Sequence, residues 1–143
     1  MKFPYRRYAI EPSPAAPMLS IISRPVIPVR FSGSKGTRNC YALLDTGADE
    51  SYITQSMAEK LGIAPLSEVI STVQSASGKM SIMYGEVLIE VADGDERFSR
   101  RIAVGIADET WSEAILGHIG FLEHFDATFS YVDQTVTLLV RGE

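Results

Sequence analysis

Cysteine is nearly missing from this 143-residue chain: Cys40 stands alone, so no intrachain disulfide can form. A lone thiol fits a reducing compartment, and a cytoplasmic protein is the expectation. Histidine is almost as scarce. His118, His124 and Cys40, the last on an apolar stretch that reads as strand, do not make a plausible zinc site, so neither metal nor cofactor is expected. No run approaches the roughly eighteen apolar residues of a membrane helix. The start, Met1 to Arg7, is basic but has no apolar core behind it, so it does not read as a secretory signal. An excess of positive charge is also lacking. The net charge is −5 and the pI about 5.0, and Lys35, Arg38, Arg100 and Arg101 are scattered, which argues against nucleic acid or anionic membrane as partner. The chain holds no Gly-x-x-x-x-Gly-Lys to cradle phosphate and no Gly-x-Ser-x-Gly elbow for a serine nucleophile.

Proline is absent from most of the chain and crowded at its start. Six of seven prolines lie at positions 4, 12, 14, 17, 25 and 28, which excludes a regular helix or central strand there. Residues 1–24 read as an extended, proline-rich arm. The expectation favours a poorly ordered terminus, with packing along its own domain or a partner as the alternative because Met18 to Ile22 is apolar. Residues 25–143 then form one domain of ordinary globular composition.

Short strands at regular intervals are predicted over Val26 to Phe31, Asn39 to Leu44, Val69 to Val73, Met80 to Val91, Phe98 to Ile106, Ala114 to Leu116, Ala127 to Tyr131 and Thr135 to Val140. A helix is predicted from Thr54, a capping hydroxyl, to Gly62, with Met57 and Leu61 on one face and Pro65 beyond. Gln74 to Lys79 reads as the polar tip of a hairpin, Asp93-Gly94 as a tight reversal, and His118 to Phe125 as a helical turn. The class is mainly β.

Within this pattern one tripeptide carries chemistry. Asp45-Thr46-Gly47 follows the apolar run Cys40 to Leu44, which puts an acid where a buried strand ends and a loop begins. Threonine can bond nearby backbone, and glycine lets the chain turn without a Cβ clash. A half-buried carboxylate is costly unless it has a partner or a task.

Leu43-Leu44-Asp45-Thr46-Gly47-Ala48-Asp49 resembles the active-site signature of the retropepsins, the single-lobe aspartic proteases. About seventy residues on, Ala114-Ile115-Leu116-Gly117 resembles the family's second mark, an apolar-apolar-Gly element before a short helix and a last strand. The resemblance runs from Pro25 to Val140. It implies a closed retropepsin-like β-barrel, one lobe per chain, with Asp45 as the catalytic acid and Thr46 and Gly47 supporting it. Ala48, Asp49 and Glu50, with Ser77 and Gly78 at the hairpin tip, are the implied substrate-binding residues. The hairpin corresponds to the family's flap, although Gly78 is the tip's one glycine where retroviral flaps are rich in them. His118 stands where many members carry an arginine that pairs with the acid matched by Asp49. A histidine there would make that contact sensitive to pH.

Amide hydrolysis by carboxylates alone needs two of them, one ionised and one protonated, sharing a proton at close range. This chain has one Asp-Thr-Gly and no Asp-Ser-Gly, and is too short for two lobes. The second acid therefore belongs to a second copy, which makes a homodimer acting on peptide or protein the expectation. In the family the chain ends often interleave between subunits, and Thr135 to Val140 is apolar enough to need covering. A rival of another class keeps the fold and dimer as a protein-interaction module without cleaving. The changed hairpin tip and His118 favour it, and the intact Asp-Thr-Gly favours the enzyme.

Overall fold

The computed structural model describes residues 1–66, 71–75, 78–108 and 112–142. Strands dominate these residues. Before the barrel come β1 (Lys2–Pro4), β2 (Arg6–Ala9) and β3 (Ile21–Arg24). Then follow β4 (Val26–Gly33), β5 (Gly36–Leu44), β6 (Tyr52–Thr54), helix α1 (Gln55–Leu61) and β7 (Ser71–Ser75). The chain continues with β8 (Gly78–Asp93), β9 (Glu96–Ala107) and β10 (Ala114–Leu116). A 3-10 turn (Leu122–His124), β11 (Phe125–Ser130) and β12 (Thr135–Val140) complete it.

Six strands close on themselves. The order β4-β5-β10-β6-β9-β8 returns to β4 through Arg30↔Glu90, Phe31↔Ile89 and Ser32↔Leu88, with β7 added outside β8. The alternation that makes this possible is plain in β4, where Ile27, Val29 and Phe31 are buried while Pro28 and Arg30 face out. Pro28 has no N–H for a ladder, and it lies where β4 pairs with β5 but has not yet met β8. Inside, Ile27, Phe31, Ile53, Leu61, Ile89, Leu116 and Phe121 are fully buried. Each such side chain contributes about 1.5–3 kcal/mol by leaving water.

Local signals placed most of these elements. Thr54 Oγ1 accepts the Met57 N–H at 3.2 Å and starts α1, and Gly62, at φ 72°, ends it in the left-handed conformation. Met57, Ala58 and Leu61 turn inward. The β8–β9 hairpin reverses over Gly94 and Asp95, where Gly94 takes φ 60°. The predicted strand over Val69 to Val73 is present from Ser71, while Val69 and Ile70 lie outside the described residues.

The N-terminal arm departs from the expectation of a poorly ordered terminus. β1 pairs antiparallel with β12, and β2 pairs with β3 in a separate hairpin whose loop holds Pro12, Pro14 and Pro17. Met1 and Phe3 are buried, and the Lys2 N–H donates to Asp93 Oδ2 at 2.8 Å. The Arg6 guanidinium lies over the Tyr41 ring at 3.6 Å, which ties the hairpin to β5. The prolines exclude central-strand positions, and these strands obey that rule, since each runs at an edge or in a two-stranded ribbon.

β12 meets the expectation of an apolar strand in need of cover only in part. It lies between β1 and β11 of its own chain with Val136 and Leu138 fully buried, while Leu139 and Val140 at its end are exposed. Removing residues after Gln134 would strip the core as well as any surface.

Cys40 lies buried on β5, and burial, followed by the charge of Glu113, pushes its thiol up to about 12. The thiolate is the reactive form, so Ellman's reagent at pH 8 is expected to leave the native protein almost unlabelled and to label it fully in denaturant. Labelling of the native protein at the rate of a free thiol would contradict this packing.

Candidate active site

The end of β5 is pinned by backbone before the acid is reached. Cys40, Ala42 and Leu44 point inward. The Leu44 N–H donates to Pro25 O at 2.9 Å and the Asp45 N–H to Leu116 O at 3.0 Å. Asp45 is thus delivered half-buried where β5 stops pairing. The loop then folds back on the carboxylate. The Gly47 N–H donates to Asp45 Oδ1 at 2.8 Å, and the Ala48 N–H to Asp45 O at 3.2 Å. Gly47 is not in a left-handed conformation. What it lacks matters instead, because a Cβ there would crowd Asp45 Oδ1 at 3.2 Å.

The Ala114 to Gly117 element supplies the other half of the frame. β10 runs parallel to β5 with Leu116 opposite Leu44, and antiparallel to β6. Beyond it the chain passes directly over the loop. The His118 N–H donates to Ala48 O at 3.0 Å and the Ile119 N–H to Asp49 O at 2.8 Å. At Gly117 an added Cβ would sit within 2.5 Å of Ala48 O and closer still to Glu50 O. Glycine is therefore required here by close approach.

Ser51 completes the frame, and sequence reasoning missed it. Fully buried, it donates from Oγ to Ile119 O at 2.9 Å and accepts the Gly117 N–H at 3.1 Å. One hydroxyl so satisfies two backbone groups from the crossing segment. No local pattern marks such a serine, since its partners are 66 and 68 residues away.

The remaining expected site residues are placed as follows. Thr46 and Gly47 are exposed beside Asp45, and Ala48 is half-buried. Asp49 is exposed, and its carbonyl takes part in the frame. Glu50 is half-buried and accepts the Tyr84 hydroxyl at 2.6 Å, with the Tyr52 hydroxyl farther off at 3.4 Å. Burial and then the Glu50 charge raise the Tyr52 phenol above its ordinary value. Gly105 lies between the two tyrosines in the sheet, opposite Tyr52 on β6 and Tyr84 on β8. A Cβ at Gly105 would strike the Tyr52 ring at 2.5 Å.

Gly78 opens β8 at φ 120°, and Ser77 lies outside the described residues. His118 does not make the contact expected of it with Asp49: its Nε2 lies 2.6 Å from Thr46 O. Histidine is shorter than arginine, so the ring reaches the near backbone.

Asp45 is half-buried, with its Oδ1 bonded to the Gly47 N–H. A hollow of about 450 Å³ lies elsewhere, lined by Phe98, Arg100, His124 and Arg141 among others. Among the described residues no group of three or more His, Cys, Asp and Glu side chains is placed to hold a metal.

A closed six-stranded barrel with an acid at the end of one strand and a crossing apolar-Gly segment defines the retropepsin-like class. The profile of the family described as "gag-polyprotein putative aspartyl protease" matches residues 31–124, and the chain belongs to that family. Among solved structures, a retropepsin-like aspartic protease from Rickettsia conorii is 16% identical, with a TM-score of 0.53 over 79% of this chain and 81% of its own. The EIAV protease complexed with the inhibitor HBY-793 is 23% identical, with a TM-score of 0.46 over 66% and 82%. The retroviral protease-like domain of Ddi1 from Leishmania major is 13% identical, with a TM-score of 0.49 over 85% and 94%. Curated protein sequences gave no match.

Gly117→Ala is expected to push the crossing segment off the loop, costing about 1–3 kcal/mol of stability as overpacking does. Thermal unfolding measures this, and a variant as stable as the parent would show that the two segments are not in close contact.

Proposed function

We propose that the protein is an aspartic endopeptidase in which two Asp45 carboxylates, one from each subunit of a homodimer, activate a water against a peptide bond. The observation that carries this reading is the presentation of Asp45, a half-buried acid at a strand end, bonded through its own N–H to Leu116 O and through its carboxylate to the Gly47 N–H. A loop so held has the preorganisation that acid–base chemistry needs. Membership of an aspartyl protease family supports it further.

In this reading the ionised carboxylate takes a proton from water while the hydroxide forms a bond to the peptide carbonyl carbon. The protonated partner acid donates to the carbonyl oxygen. The tetrahedral intermediate then collapses, the C–N bond breaks, and a proton passes to the leaving amine. Thr46 and Gly47 hold the acid in place. Ala48, Asp49 and Glu50 line the approach of the peptide, and the β7–β8 hairpin, with Ser77 and Gly78, covers it and excludes water. No metal or cofactor takes part. A cytoplasmic setting suits the single buried thiol.

The test is digestion of proteome-derived peptides by wild type and Asp45→Asn at several pH values. Asp45→Asn is expected to abolish cleavage with the fold intact, because the shape stays while the ionisable pair is lost. The wild-type profile is expected to be bell-shaped, falling at low pH as the ionised acid gains a proton and at high pH as its partner loses one. Turnover by purified Asp45→Asn would refute the aspartic mechanism.

Specific activity is also expected to fall on dilution, in step with dissociation followed by sedimentation. A fully active monomer would refute the shared site. A stable dimer that cleaves nothing at any pH would favour the interaction-module reading instead.

A further inference from the structure

We propose that His118 is a positioning residue that orients the Thr46–Gly47 peptide group and, through it, the carboxylate of Asp45. This rests on the protease reading for its catalytic consequence, but the geometry stands without it. His118 Nε2 lies 2.6 Å from Thr46 O. A carbonyl oxygen only accepts, so the ring nitrogen donates, and Nε2 carries the hydrogen. The other edge of the same peptide unit is the Gly47 N–H, which donates to Asp45 Oδ1 at 2.8 Å. One planar amide is therefore held at both ends, by an imidazole on its oxygen and by the candidate catalytic carboxylate on its nitrogen.

Planarity makes the two bonds interdependent. Rotation of a peptide group moves its C=O and N–H together, so fixing the oxygen fixes the direction of the donor aimed at Asp45. Donation into the carbonyl also polarises the amide and strengthens its N–H as a donor. A merely decorative surface histidine would need no firm base, yet this one has it. Its own N–H donates to Ala48 O at 3.0 Å, its carbonyl accepts from the Glu123 N–H at 3.0 Å, and the next residue is bonded to Asp49 O.

Both the neutral ring with hydrogen on Nε2 and the imidazolium make the bond to Thr46 O, and the charged form makes it stronger. The clamp therefore persists when the ring changes charge. It depends on a donor at the Nε2 position, and that can be tested by moving the donor.

Three full-length variants separate position from bulk. Gln places an N–H near the Nε2 position, Asn places one too close to the backbone to reach Thr46 O, and Leu has none. His118→Leu and His118→Asn are expected to lose about tenfold in kcat while KM stays within about twofold. His118→Gln is expected to restore most of the loss. Melting temperature and dimer dissociation should match the parent in all three. Wild-type kcat in His118→Leu, or a loss that tracks dissociation alone, overturns the proposal.

The Gly47 amide proton, followed by NMR, gives a readout independent of cleavage. In the Leu and Asn variants its resonance is expected to shift upfield and its exchange with solvent to quicken, with Gln close to wild type. An unchanged Gly47 amide overturns the clamp whatever the kinetics. A shifted Gly47 amide in a wild type and variants that all cleave nothing supports the clamp and counts against the protease reading alone.

Discussion

The carbonyl oxygens of Ala48 and Glu50 pass so near the α-carbon of Gly117 that any side chain there would collide with both. That closeness lets residues 116–119 and 45–51 satisfy one another's backbone. Asp45, His118 and Ile119 donate across the crossing, and Ser51 reaches back to both Gly117 and Ile119. An unsatisfied buried backbone group costs about 1–3 kcal/mol, so separating the two segments would expose several such costs together. The carboxylate of Asp45 inherits its position from this crossing more than from its own loop, which has only the Gly47 and Ala48 N–H bonds to hold it.

Closure of the barrel serves the same end from the other side. β5 is flanked by β4 and β10, and β10 by β6, so the strand that carries the acid is central where it matters. The short length of β6 and β10 is not a weakness, because the two lie side by side between the longer β5 and β9, and Ile53, Ala114 and Leu116 have no exposed surface. Outside the barrel, β1 lies along β12 and the Arg6–Tyr41 stack fastens the second ribbon to β5. The proline-rich segment thus adds cover at the strand leading to Asp45.

Local chemistry was legible in the sequence, and distant pairing was not. The Thr54 hydroxyl, the left-handed Gly62, the alternation in Val26 to Phe31 and the Asp93-Gly94 reversal depend on residues a few positions apart, and each was found where expected. The Asp-Thr-Gly loop and the Ala-Ile-Leu-Gly element could be read separately, and the resemblance joined them. By contrast, β6 escaped notice because three residues before a helix cap carry no period. The arm strands escaped because proline marks what a segment avoids and says nothing of which strand it will lie beside. Ser51, the Glu50–Tyr84 bond and the turn of His118 toward Thr46 join residues 34 to 72 positions apart, and composition holds no trace of them.

The Glu50–Tyr84 bond has a mechanical meaning as well. It fastens the Asp45 loop to β8 near the root of the β7–β8 hairpin, where the Leu66 N–H also donates to Tyr84 O and Pro65 bridges Gly85. From Tyr84 to Gly78 runs about 20 Å of strand, at roughly 3.3 Å per residue. Such a geometry is a lever with its fulcrum at the tyrosine. A tilt of about 10° at the root carries the far end through about 3.5 Å, on the order of one strand spacing. The phenol and its carboxylate therefore hold β8 at its root, where any change of angle is multiplied along the strand.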